Sequence, residues 1–172
     1  MPKRISALVL CLTAVYQFSA AADDTLVKFK GGIGVIPVSS GVGAAPTAVV
    51  VNRNIVRTVQ PPGQIWRIAD LRATVKVDGS ISVRGKGLLL AGGNGIGTNA
   101  NQKVFATLIC EAAAPFTLRN TDTAGVPLEP NGDFRIDDAL TPAPSGCASP
   151  VLLIRNTGGA WFAAGFVDDD DD

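Results

Sequence analysis

The chain has 172 residues, 47% hydrophobic and 17% charged, and its 15 Lys and Arg balance 15 Asp and Glu. Such a balance speaks against nucleic-acid binding. Histidine is absent, which excludes Ser-His-Asp and Cys-His catalysis and histidine-ligated metal sites.

The first residues follow a leader pattern. Met1-Pro2-Lys3-Arg4 is basic, Ile5 to Phe18 is mostly apolar, and Ala20-Ala21-Ala22 offers the small residues that a signal peptidase reads. The apolar run is broken by Thr13 and Gln17 and is too short for a membrane span. Leu10 before Cys11 does not suit a lipoprotein site. A signal peptide over residues 1–22 is therefore expected, and a secreted or periplasmic product with no membrane span. Cleavage would remove the only Met and the only Tyr, and with the Met a type-typical blue-copper site. Cys110 and Cys147 would remain, and two cysteines in an exported chain read as one disulfide.

In chain order, Thr25–Lys30 alternates as a strand with Val27 and Phe29 inward, ended by Gly31-Gly32. Ile33–Val38 carries Pro37 and reads as an edge strand, followed by a small-residue loop over Ser39–Pro46. Thr47–Val51 reads as a short strand, Asn52-Arg53-Asn54 as a turn and Ile55–Gln60 as another strand, ended by Pro61-Pro62-Gly63.

The central stretch is the most explicit. Leu71, Ala73, Val75 and Val77 point one way, and Arg72, Thr74 and Lys76 the other. Asp78-Gly79 signals a hairpin. A two-residue loop would set Ile81 opposite Lys76. A three-residue loop, Val77-Asp78-Gly79, puts Gly79 in the left-handed position and opposes Val75 with Ile81 and Ala73 with Val83. Only the second keeps each face chemically consistent, so it is the predicted register.

Ala91–Gln102 is crowded with Gly92, Gly93, Gly95 and Gly97. A phosphate cradle would need a following helix, and no helical period follows. The stretch reads as an irregular loop, a binding candidate only through close backbone approach. Lys103–Cys110 is apolar on both faces and reads as a central buried strand. Phe116 and Leu118 suggest a short strand. Val126–Asp137 reads as a second hairpin around Pro130-Asn131-Gly132, opposing Leu128 with Phe134, Val126 with Ile136 and Glu129 with Asp133. Thr141–Pro150 is a loop carrying Cys147. Val151–Ile154 is a buried strand, and Ala160–Val167 is an uncharged final strand.

Thr25–Phe29 and the Pro37-bearing strand read as sheet edges. Thr25–Phe29, or a strand close to it, is expected to cover the side of Ala160–Val167 that Val151–Ile154 leaves free. The fold class is all-β: a single antiparallel β-sandwich or jelly-roll-like domain over residues 23–167, or a barrel, with one disulfide. Asp168–Asp172 is a like-charge block expected to be a disordered acidic tail.

The run Arg67–Thr98, with VKVDGSISVRGKGLLLAGGNGIGT, resembles small, uncharacterised exported bacterial β-rich proteins. The likeness covers the central third of the chain and implies no activity and no site residues. TLVKFKGGI is similar to the donor strand of chaperone–usher pilins. Those proteins usually place their disulfide in the first half and an aromatic signature near the C-terminus. Here both cysteines of the body lie in the second half.

Glu129, Asp133, Asp137 and Asp138 form the acidic cluster of the body. Such carboxylates can bind calcium or act as the acid and base of a glycosidase. Their ordinary reading is a solvated hairpin face. Trp66 and Trp161 are the candidate ligand-binding aromatics of a glycan cleft, or else core or rim residues. No catalytic residue is identified, and calcium is the one cofactor in view. The partner classes open to the domain are a protein or a glycan. A non-catalytic exported domain acting in binding or in surface or extracellular assembly is the expected function. A carboxylate-dependent glycan hydrolase and a calcium-stabilised structural module are the alternatives.

Overall fold

A computed structural model describes residues 24–42 and 49–168, with side chains for 24–38 and 52–168. The expected leader, and the acidic tail beyond Asp168, lie outside the described residues. The strands in chain order are β1 (Thr25–Gly34), β2 (Val38–Val42), β3 (Val49–Arg53), β4 (Trp66–Arg67), β5 (Asp70–Lys76), β6 (Ser80–Lys86) and β7 (Leu89–Leu90). They continue with β8 (Lys103–Ile109), β9 (Arg119–Asn120), β10 (Val126–Pro127), β11 (Phe134–Ala139), β12 (Val151–Asn156) and β13 (Trp161–Val167). No helix occurs among the described residues, so none is long and apolar enough to cross a membrane.

Nine strands form one antiparallel sheet in the order β10-β8-β12-β13-β1-β5-β6-β11, with β9 also on β8. The sheet curls on itself. Asn120 in β9 and Thr141, just past β11, exchange backbone hydrogen bonds of 3.0 and 2.8 Å, which ties its two ends together. The result is a nearly closed barrel, one of the all-β architectures expected. Its core includes Leu71, Val75, Val83, Leu108, Leu152 and Ile154, all fully buried. Cys110 and Cys147 are bonded, with Cα atoms 4.4 Å apart, and pin the loop after β11 to the end of β8. Among the described residues β2 and β3 pair only with each other, as do β4 and β7.

The central hairpin takes the predicted register. Val75 faces Ile81 and Ala73 faces Val83, and Gly79 has φ +88°. Leu71, Ala73, Val75, Ile81 and Val83 all lie in the core. β8 is buried along Val104–Ile109, as its two-faced apolarity predicts. β13 lies between β12 and β1, the arrangement expected for an uncharged strand.

Other expectations are corrected. β1 is not an edge, because it lies between β13 and β5. Nor does it end at Gly31-Gly32. A bulge there shifts the register between Phe29 and Gly32, and pairing resumes with Gly32 facing Gly165 and Ile33 facing Ala164. The predicted strand Ile33–Val38 is divided, its first two residues ending β1 and Val38 starting β2. The expected loop from Ser39 is strand as far as Val42, and residues 43–46 lie outside the described residues. Asn52 and Arg53 are strand residues, not a turn. Ile55–Gln60 is not a strand. Val56 and Val59 bond each other around Arg57 and Thr58, whose φ values are +44° and +75°.

The second hairpin forms only at its tip. Gly132 has φ +82°, and the Glu129 N–H donates to the Asp133 carbonyl at 2.9 Å. The next hydrogen-bonded pair in that register would be Pro127 with Arg135, and proline has no N–H to donate. The ladder therefore stops. Val126 pairs with Val104 of β8 instead, and the Leu128 N–H donates to the Gln102 carbonyl.

Candidate anion-binding face

The cross-strand registers place the outward side chains of β1, β5, β6 and β11 in rows. Lys30 faces Arg72, Arg72 faces Arg84, and Arg84 faces Arg135. Four cations thus stand side by side on four adjacent strands. With strands ~4.8 Å apart, the row spans about 14 Å. In the next row Lys28 faces Thr74, Thr74 faces Ser82, and Ser82 faces Asp137. The short Thr74 and Ser82 side chains make a floor and the long cations make walls. This gives a shallow depression lined by Lys28, Lys30, Arg72, Thr74, Ser82, Arg84 and Asp168. Among the described residues its charged groups are four cations and one carboxylate. Asp168 is held at the rim by its N–H, which donates to the Lys28 carbonyl at 2.9 Å.

Like charges directly opposite on a sheet destabilise it, and acids flank this row. Arg72 Nε lies 3.4 Å from Asp70 Oδ2, and Lys30 Nζ 4.0 Å from Asp168 Oδ1. Arg135 Nε donates to Asp137 Oδ2. Hydrogen bonds from Arg135 and Ser82 hold the Asp137 carboxyl below its ordinary range, and the same Arg135–Asp137 bond raises the Arg135 pKa. Arg84 has no carboxylate within 4.0 Å and no hydrogen bond among the described residues. The Thr74 hydroxyl makes no hydrogen bond there either. One cation and one hydroxyl therefore stand ready in the depression. The other sides of these strands face the core.

At the far end of the row, Phe166 of β13 is 53% exposed, and its ring lies over Gly31. The row thus runs from an exposed aromatic ring across four cations.

The structure disperses the acids of the predicted cluster. Asp133 Oδ1 accepts from the Gly87 N–H at 3.0 Å. Asp137 is held by Ser82 and Arg135 on the outer face. Asp138 Oδ2 accepts from the Asp122 N–H at 2.7 Å, and Oδ1 from the Ala139 N–H at 2.8 Å. Glu129 contributes its backbone to the hairpin tip, and its carbonyl also accepts from Asn99 Nδ2 at 3.0 Å. Among the described residues no three His, Cys, Asp or Glu gather where a metal ion could sit.

Both predicted aromatics lie in the core, each 4% exposed. Trp66 stacks on Phe162 with centroids 4.1 Å apart, and Trp161 Nε1 donates to the Asn54 carbonyl at 2.9 Å. The glycine-rich loop spends N–H groups on itself: Ile96, Gly97 and Thr98 donate to Gly93, Leu90 and Gly95.

A second polar group lies away from this face. Glu111 Oε1 accepts from Arg119 Nη2 at 2.8 Å, and Oε2 accepts from the Thr117 N–H at 3.1 Å. Chiefly through the Arg119 bond, its pKa is lowered to about 2. This pair anchors the loop between β8 and β9.

Sequence reasoning did not gather the outward cations of the depression, which lie on separate segments of the chain, onto one face. The usable signal was the alternation itself, which turns Lys28, Lys30, Arg72, Thr74, Ser82 and Arg84 outward once neighbouring strands are known. Comparison with protein-family models, with curated proteins and with solved structures finds no match to this chain.

Proposed function

We propose that the protein is an exported, non-catalytic binding domain that holds an anionic ligand on the outer face of β1, β5 and β6. The observation that carries this reading is the depression, lined among the described residues by four cations, one carboxylate and two hydroxyls. Charge-assisted hydrogen bonds from Lys and Arg are the strong way to hold carboxylate, sulfate or phosphate oxygens. The disulfide is compatible with an oxidising compartment. The carboxylates considered as acid and base also favour a structural use, since Asp133, Asp137 and Asp138 are engaged with backbone N–H groups or with Ser82 and Arg135.

Retention on a sulfated resin at low salt tests the reading. The protein should be retained and should elute as salt rises, because exposed charges are screened within about 10 Å at 0.1 M salt. The double variant Arg72→Glu/Arg84→Glu, shown folded by circular dichroism, should flow through. Equal retention of the double variant would refute the assignment of the face.

A further inference from the structure

Resting on that reading, we infer that the ligand is an acidic linear polysaccharide lying across the strands. Length is the first reason. The cation row spans about 14 Å over four strands, and the exposed Phe166 ring extends it by one more strand spacing to about 19 Å. A single small anion would fill only part of it.

The mixture of groups is the second reason. Beside the cations stand the Thr74 and Ser82 hydroxyls, and the row that holds them ends in carboxylates, Asp168 beside Lys28 and Asp137 beside Ser82. Carboxylates repel a densely charged polymer or an anionic membrane surface, yet they accept hydrogen bonds from sugar hydroxyls. A chain with spaced acidic groups and many hydroxyls matches both rows.

The third reason is Phe166. A buried aromatic serves packing, whereas this ring is more than half exposed at the end of the cation row. A flat apolar ring there suits stacking against the face of a sugar ring. One such platform falls short of the succession of stacked bases by which single-stranded nucleic acids are held.

Isothermal titration with short and long polyuronate oligomers, a neutral oligomer of similar length, and phosphatidylglycerol vesicles tests the inference. The long polyuronate should bind more tightly than the short one, with little binding of the neutral oligomer or the vesicles. Arg84→Gln should weaken it about tenfold, the value of one charge-assisted hydrogen bond. Phe166→Ala should weaken polyuronate binding. Unchanged polyuronate affinity in Phe166→Ala, or no dependence on oligomer length, would overturn it. Vesicle binding without polyuronate binding would overturn the polysaccharide while leaving an anion-binding face. Failure to bind the resin as well as the oligomers would remove the broader reading too.

Discussion

Arg84 provides the sharpest test of whether the cation row serves binding at the expense of stability. It faces Arg72 on one side and Arg135 on the other, and has no ion pair of its own among the described residues. Directly opposed side chains lie ~4.5–5.5 Å apart at Cβ, and diagonal ones ~7–8 Å. The two cations are therefore its near neighbours, while Asp137, facing Ser82, is diagonal. Each opposed like-charge pair costs roughly 0.2–1 kcal/mol. Arg84→Gln removes two such pairs and one weaker attraction, so we expect a net gain of about 0.5–1 kcal/mol. That corresponds to a rise in Tm of about 1–4 °C for a chain of this size. Arg84→Lys keeps the charge and should leave stability close to that of the parent protein. Urea unfolding and thermal melts at low and high salt would measure both. The gain in Arg84→Gln should shrink at high salt, where exposed charges are screened. Loss of stability in Arg84→Gln, or a gain that ignores salt, would refute the like-charge reasoning.

Three further outcomes follow from other parts of the molecule. A Cβ placed at Gly85 would collide with the Phe134 ring that faces it across β6 and β11, so Gly85→Val should lower the urea midpoint by the equivalent of about 1–3 kcal/mol. Opening the bond between Cys110 and Cys147, 37 positions apart, by Cys110→Ser/Cys147→Ser should cost about 4 kcal/mol in the chain-entropy account, read by the same titration. The Glu111 pKa falls from 4.5 to about 2 on folding. Its contribution is therefore fully present above pH 4.5 and is lost as pH falls towards 2. Glu111→Gln should flatten the pH dependence of stability in that window and nowhere else.

Two parts of the chain show what local sequence can and cannot reveal here. The β5–β6 register was legible because strict alternation on both arms leaves one loop length that keeps the faces consistent, and Gly79 supplies the left-handed residue that loop needs. Val126–Asp137 has the same turn chemistry at Gly132, yet only its tip forms. Pro127 falls where the ladder needs a donor, and β8 offers Val126 a partner remote in sequence. Gly31-Gly32 misled in the opposite direction. The pair reads as a breaker, but the strand absorbs it as a bulge because β13 continues beyond it with Gly165 facing Gly32.

The binding face divides along the same line. The predicted hairpin register already set Arg72 against Arg84 and Thr74 against Ser82, which is half of the depression. The other half comes from β1, whose Lys28 and Lys30 meet β5 across more than forty residues of intervening chain, and from β11, whose Arg135 and Asp137 complete the rows. Neither pairing follows from periodicity, which tells a strand which side faces out but not which strand lies beside it. Arg72 opposite Arg84 was therefore the readable sign of this face. A like-charge pair in an otherwise consistent hairpin is a local conflict of the kind that functional sites retain.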